Sequence, residues 1–244
     1  MQHSATRIAA AQLSSRRRVR TAVPASPFVG MVCTTGPAFL SSALPAVPGA
    51  RIDSLGDSLA VLAEAFGETP LRFEIIEESS PGAVEALSAA GVQVAETCPV
   101  LTVSTADVVA AQADSDIAVE VVRDGRQLAE ARSVATAAFG RVVDGEPLRT
   151  DTRDGGRVLV RHKGVAVATA AWSPVVDDIA ELVGIGVHPE HQGRGFGALA
   201  TASAVRASGA ELHWLTPADA GADRVYRRVG FRQAATAVHL GPPR

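Results

Sequence analysis

Val187-His188-Pro189-Glu190-His191-Gln192-Gly193-Arg194-Gly195-Phe196-Gly197-Ala198-Leu199 is the stretch on which the reading of this chain turns. An apolar strand ends at Val187, a polar turn follows, and a glycine-rich loop opens a helix near Gly197. Gly193, Gly195 and Gly197 stand at alternate positions. They strip side chains from the loop, so that backbone N–H groups can close round an anion. The first turn of the helix adds N–H groups without intrahelical partners and the positive end of a dipole. Each favourable contact of this kind is worth roughly 0.3–1 kcal/mol at an exposed site. A diphosphate suits such a place, and Arg194 brings it a positive charge; a purely structural glycine turn is the alternative.

The same glycines satisfy G-x-G-x-x-A, a weak dinucleotide fingerprint, but the context disagrees with it. A dinucleotide loop follows its strand directly, whereas His188 to Gln192 intervene here. Its acidic residue should end the second strand about 20 residues further on. The nearest acid, Glu211, instead precedes the apolar run Leu212–Leu215. No G-x-x-x-x-G-K-[ST] is present, which excludes a P-loop. The wider pattern, Gln192-x-x-Gly195-x-Gly197 preceded by Val187-x-Pro189, resembles the acetyl-CoA loop of the GNAT superfamily of N-acetyltransferases.

The surrounding sequence supplies the elements. Asp124 can cap a helix with the apolar face Leu128, Ala131, Ala135 and Ala138, stopped at Gly140. Arg157–His162 and Val165–Trp172 flank Lys163-Gly164 as a hairpin, and Ile179–Val187 is a third strand. A helix from Gly197 to Ser208 ends at Gly209, and Leu212–Thr216 is a further strand. Ala222–Val229 is a short helix before Gly230, and Phe231 starts a closing strand. Meander, helix, strand, helix, strand is the element order of the GNAT superfamily, and the resemblance covers residues 117–240. It implies an α/β (α+β) fold: a tandem GNAT fold with a mixed, mostly antiparallel sheet flanked by helices.

The tandem reading comes from an internal repeat. Shifted so that Phe73 meets Leu212, residues 73–101 lie on 212–240 without a gap. Gly82 then meets Gly221, Gly91 meets Gly230 and Leu101 meets Leu240. The copies are not equivalent: Gln192, Gly193, Gly195 and Gly197 fall on Asp53, Ser54, Gly56 and Ser58, and Tyr226 falls on Leu87. The first copy also looks truncated, with few strand signals before Arg51. The expected organisation is a basic, flexible start (1–30), a degenerate GNAT-like domain (31–104), a linker (105–116) and a catalytic domain (117–244). The chain resembles two-domain GNAT proteins with a worn N-terminal domain through Leu71-Arg72-Phe73-Glu74, Pro81-Gly82 and Ala89-Ala90-Gly91-Val92.

Composition sets further bounds. The chain has 244 residues, 47% hydrophobic, with a formal net charge of −3; that is chain enough for two domains. Near-neutral balance gives no electrostatic case for a nucleic-acid partner. Cys33 and Cys98 form no disulfide framework and point to a reducing, cytoplasmic setting. No run of 18 apolar residues exists, so no membrane partner is expected. Arg16-Arg17-Arg18-Val19-Arg20 is a faint targeting signal, interrupted downstream by Pro24, Pro27 and Gly30. No His/Cys cluster has metal-ligand spacing, so no metal is expected.

The resemblance implies acetyl-CoA as co-substrate, a small-molecule or peptide amine as acceptor, and a monomer or homodimer. The amine must be neutral to attack, and a lysine-like one is neutral only about once in 2,500 molecules at pH 7. A general base contributes typically ~10²–10⁴-fold. Glu181, early on the strand leading to the loop, is the candidate at the spacing of the histone-acetylating branch. A solvated carboxylate, or a partner of Arg157 or Arg161, is its alternative reading. Asp177, Asp178 and His188 are weaker candidates for the base. Tyr226, the only tyrosine, stands in a stretch resembling the superfamily's Tyr-x-x-x-Gly-Phe helix and is the candidate acid for the leaving thiolate. Ile185 and Val187 are expected to line pantetheine through their backbone, with Gly184 and Gly186 permitting a bulge. Gln192, Gly193, Arg194, Gly195, Phe196, Gly197 and Ala198 complete the cofactor contacts together with Tyr226. Trp172 and Trp214 are expected in the core. A non-catalytic acyl-CoA-binding regulator and a pure scaffold remain the competing classes.

Overall fold

A computed structural model describes residues 2–34, 37–109, 115–140, 148–149 and 151–242. The chain runs through α1 (Gln2–Arg17), β1 (Thr21–Ala25), β2 (Phe28–Val32), β3 (Ser42–Pro45), α2 (Ser58–Phe66), β4 (Phe73–Ile76), α3 (Ala83–Ala89) and β5 (Val94–Ser104). It continues with β6 (Ile117–Val121), α4 (Gly125–Phe139), β7 (Gly156–His162), β8 (Val165–Trp172) and β9 (Ile179–Val187). Last come α5 (Phe196–Ser208), β10 (Leu212–Leu215), α6 (Ala220–Val229) and β11 (Arg232–Leu240). These elements form two compact units, Met1–Val100 with Gln233–Arg244, and Leu101–Arg232.

In the second unit β6, β7, β8 and β9 form an antiparallel meander. β10 joins β9 in parallel, and Leu101–Ser104 of β5 pairs antiparallel with β10. Lys163 and Gly164 both take positive φ, which matches the twist of the β7–β8 hairpin. Helix α4 starts in a full capping box, Asp124 with Gln127, and stops at Gly140 in the left-handed conformation. The core collects Val158, Val160, Val167, Trp172, Leu199, Val205 and Phe231. Helix α5 buries Leu199, Ala200, Ala202, Ala204 and Val205, and its small side chains suit close packing. Trp172 and Trp214 are both 3% exposed, as their core reading requires.

In the first unit β1, β2 and β3 are antiparallel, β3 meets β4 in parallel, and β4 pairs antiparallel with β11. Phe28, Leu62, Phe73, Ile75 and Leu87 form its core. The order strand, helix, glycine, strand occurs twice, in β4–α3–Gly91–β5 and β10–α6–Gly230–β11, with both glycines at positive φ. The mixed, mostly antiparallel sheet with flanking helices is the fold class expected.

The organisation differs from the sequence reading in four places. The start, read as flexible over 1–30, is ordered over its described residues 2–30: they hold α1 and most of a hairpin, with Ile8 fully buried and Gln12 donating to Glu74. Short alanine-rich apolar spacing hid this helix among its arginines. Three strands, not few, precede Arg51; prolines at positions 24 and 27 disguised them. The stretch 105–116 is no simple linker, since Thr105 N–H donates to Glu211 O and Val109 N–H to Val229 O; residues 110–114 lie outside the described ones. Finally, β11 belongs to the first unit, while Leu101–Ser104 belongs to the second. Alternation of apolar residues specifies that a strand forms but not which neighbour it pairs with.

His213 on β10 is fully buried, with Nε2 2.6 Å from Ser208 Oγ. Burial pushes its pKa down to about 4. An unfolded chain protonates the same ring near pH 6.5, so between these values the unfolded state binds more protons. Stability is therefore expected to fall as pH drops from about 6.5 to 4, by up to ~3 kcal/mol from this residue. Denaturation midpoints measured across that window for wild type and His213→Gln test this; equal pH slopes would assign the effect to other groups.

Candidate functional site

The stretch after β9 makes one short turn, Pro189–His191, with proline at its first position, where a missing N–H costs nothing. Helix α5 then begins at Phe196 behind Gly195, which takes φ +83 in the left-handed region; Gly193 takes φ +74. No side chain caps the helix and its first turn holds no acidic residue. The leading N–H groups are thus left to outside partners. A Cβ placed on Gly193 or Gly195 would meet no atom within 4 Å, so the loop is open along this face. Gly197 is tighter: its Cβ would stand 3.4 Å from Val187 Cγ2. Phe196 is buried, and the exposed Arg194 lays its guanidinium 5.4 Å from the Phe196 ring centre, with Nη1 3.3 Å from His191 Nδ1. Gln192 Nε2 reaches back to the Val187 carbonyl at 3.5 Å. Ala198 is half-buried in the same helical turn.

The strand that leads into the loop is irregular. Thr169 faces Gly186 and Ala171 faces Val183, so β9 carries one residue more than β8 between these pairs. This bulge falls at Gly184, which takes φ +58, a conformation that favours glycine. On its other side β9 pairs with β10 only as far as Glu181 opposite Trp214. Beyond that rung β9 continues to Val187 with no further pairing to β10 among the described residues. Ile185 and Val187 lie in this part and are half-buried.

Glu181 therefore stands where the two strands part. Its backbone is clamped to Ser173: the Glu181 N–H donates to Ser173 Oγ at 3.0 Å, and Ser173 N–H donates to the Glu181 carbonyl at 2.9 Å. Ser173 is a bracing residue that the sequence did not single out. Tyr226 lies on α6, which Asp219 caps by accepting from Ala222 N–H at 2.8 Å. The tyrosine is only 8% exposed, and its ring lies 6.0 Å from that of Phe231. Burial, aided by the Asp219 charge, pushes its pKa up to about 12.

The other candidates separate. Asp177 and Asp178 are turn residues at positive φ, and Asp178 is paired with Arg153 at 2.9 Å. Arg161, weighed as a partner of Glu181, instead binds Glu120 at 3.2 Å and Glu130. Arg157 is buried and donates to Thr169 Oγ1 at 3.1 Å. His188, Glu190 and His191 come together with ligand atoms within 4.8 Å of one another. This cluster was not legible as a metal-type spacing, because a proline-led turn rather than a helix or strand sets it.

The GNAT acetyltransferase family model matches residues 128–231. A GCN5-related N-acetyltransferase from Kribbella flavida is 38% identical to the chain, with a TM-score of 0.88 over 98% of this chain and 96% of that one. The chain belongs to the GNAT family. Membership makes it a transferase that takes an acyl group from acyl-CoA. More distant GNAT structures share the fold. An acetyltransferase from Novosphingobium aromaticivorans is 22% identical, with a TM-score of 0.56 over 94% of this chain and 93% of that one. A tandem GNAT protein from the clavulanic acid biosynthesis pathway is 13% identical, with a TM-score of 0.59 over 88% and 78%. No curated protein matches the GNAT chain. Among the described residues no helix is long and apolar enough to cross a membrane.

The open face at Gly195 gives a direct test of the loop. Gly195→Val forces a branched side chain into φ +83 and fills that face. Acetyl-CoA affinity is expected to fall at least ~100-fold, about 2.7 kcal/mol, in a variant whose circular dichroism is unchanged. Wild-type affinity by calorimetry would exclude residues 192–198 as the cofactor loop.

Proposed function

We propose that this GNAT chain moves an acetyl group from acetyl-CoA to a primary amine by direct attack, the amine being carried on a small molecule or a peptide. The observation that carries the proposal is the parting of β9 from β10 at Glu181, directly before an uncapped, open glycine loop. It leaves strand backbone and helix N–H groups free along one continuous run of chain.

In this reading the N–H groups of Gly193 to Ala198, with Gln192 and Arg194, take the diphosphate. Phe196 anchors the helix from below. The unpaired part of β9, Ile185 and Val187, offers hydrogen bonds to the pantetheine amides. Glu181 takes the proton of the attacking amine, either directly or through water. As the nitrogen bonds to the acyl carbon, the carbonyl oxygen becomes an oxyanion. The C–S bond then breaks, the oxyanion re-forms its carbonyl, and the sulfur leaves as a thiolate.

Tyr226 supplies the hydrogen bond that this sulfur needs. A phenol held at about 12 remains neutral at physiological pH and keeps its proton available. An ordinary thiol ionises near 8.5, so the phenol is the weaker acid. Its contribution is greatest while charge is developing on sulfur and the proton is shared. The proton that Glu181 removed re-enters through solvent, which closes the balance. No metal takes part in this scheme.

Tyr226→Phe removes one hydroxyl and keeps the ring. Acetyl-CoA affinity is expected to change little while kcat falls ~10–10³-fold; full activity would leave the ring as packing only. Glu181→Gln keeps the shape and removes the base. Its deficit in kcat/KM should be largest near neutral pH and shrink as pH rises, because an amine that deprotonates unaided needs no base. The deficit should also be smaller for an α-amine than for a lysine-like amine. Release of CoA across amines, aminoglycosides, amino acids and peptide N-termini identifies the acceptor for these profiles. A wild-type pH profile for Glu181→Gln would move the base elsewhere.

A further inference from the structure

The turn between β9 and the glycine loop gathers two imidazoles and a carboxylate. His188 stands at the N-cap of the 3₁₀ turn Pro189–His191, and His191 closes that turn three residues on. Side chains at i and i+3 eclipse one another in a 3₁₀ turn, so the two rings leave the backbone on one side, with their centres 5.8 Å apart. One nitrogen of each ring and one carboxylate oxygen of Glu190 lie within 4.8 Å of one another. We propose that His188, Glu190 and His191 form a binding site for a divalent transition-metal ion of the zinc type.

The donor set suits such an ion. Imidazole nitrogen and carboxylate oxygen both bind zinc, at about 2.0–2.2 Å. Two ligand atoms at that distance in tetrahedral geometry stand about 3.4 Å apart. Small side-chain rotations therefore close the cluster round an ion, with no change of backbone. Three protein ligands leave the fourth position to water. The donors are also uncommitted: the His188 and Glu190 side chains have no hydrogen-bond or ion-pair partner among the described residues. The backbone of the turn is already fixed. His188 N–H donates to the Val167 carbonyl at 2.9 Å, and His191 N–H to the His188 carbonyl at 2.8 Å. The His191 ring is steadied by two others, its centre lying 6.3 Å from that of Phe196 and 6.4 Å from that of His162. Ordering that precedes binding lowers its entropic cost.

One neighbour opposes the ion. Arg194 Nη1 lies 3.3 Å from His191 Nδ1, and a guanidinium offers donors only. An ion on either nitrogen of His191 ends this contact. On Nδ1 it takes the lone pair that would accept from Arg194. On Nε2 it requires the ring proton on Nδ1, which then faces a group unable to accept it. Metal binding therefore displaces Arg194 from His191. Removing the guanidinium removes both this competing contact and the repulsion between like charges.

The site is independent of the acetyl transfer proposed above, in which no metal takes part. The test is calorimetry with zinc chloride on the full chain at about pH 7.5, where an ordinary imidazole is mostly unprotonated. Zinc is expected to bind with a Kd tighter than about 10 μM. Cobalt(II) is expected to develop the absorption of a four- or five-coordinate ion, which added zinc abolishes. Glu190→Gln changes an exposed side chain and should keep the melting temperature of the metal-free protein. It and His191→Gln are each expected to weaken zinc binding at least ~10-fold. Arg194→Met is expected to tighten it at least ~3-fold. The proposal is overturned by a weaker wild-type Kd, by unchanged affinity in Glu190→Gln or His191→Gln, or by an Arg194→Met variant that binds zinc no more tightly than wild type.

Discussion

A strand buried on its faces must satisfy its backbone on both edges, and β9 does so on only one of them. Its pairing with β8 runs to Val187, whereas its pairing with β10 stops at Glu181. Groups left unpaired in this way require water or a ligand as partner. The rest of the second unit is arranged around this opening. Gly184 bends β9 away by accommodating an extra residue at positive φ. Ser173 holds both backbone groups of Glu181 at the point of separation. The apolar meander and α5 keep the rigid side of β9 in place. What the opening offers continues without interruption into the uncapped start of α5.

Burial decides the electrostatics as much as charge does. Tyr226 sits in the core of the second unit with its ionisation pushed up to about 12, so its phenol is neutral at physiological pH. Arg161 is tied to two carboxylates on neighbouring elements, Glu120 on β6 and Glu130 on α4. That cluster fastens the helix to the meander and leaves it no role towards Glu181.

The exchange of closing strands governs how the units can be defined. β11 follows α6 in sequence but pairs with β4 of the first unit, and the end of β5 pairs with β10 of the second. Neither unit is therefore a continuous stretch of chain. A cut between residues 104 and 117 would strip β11 from the core that includes Val238 and Leu240.

The sequence by itself determined the elements of the second unit from α4 to α6 and the turn that carries the glycines, but not β6 or the end of β5. Val165–Trp172 and Ile179–Val187 coincide with the strands found, and the Asp124 cap and Gly140 stop bound their helix as read. These signals are local: a cap, a two-residue turn or a glycine at positive φ acts within one turn of the chain. The glycine loop was legible for the same reason, since its chemistry lies in consecutive backbone groups. What only tertiary structure decided is long-range. Helix α1, whose burial rests on contacts such as Gln12 with Glu74, carried too weak a periodicity to be read. Which strand β11 joins, where β9 leaves β10, and that His188, Glu190 and His191 converge all depend on partners distant in sequence or on the path of an irregular turn. Periodicity records which face of a segment is buried; it holds no record of the neighbour that buries it.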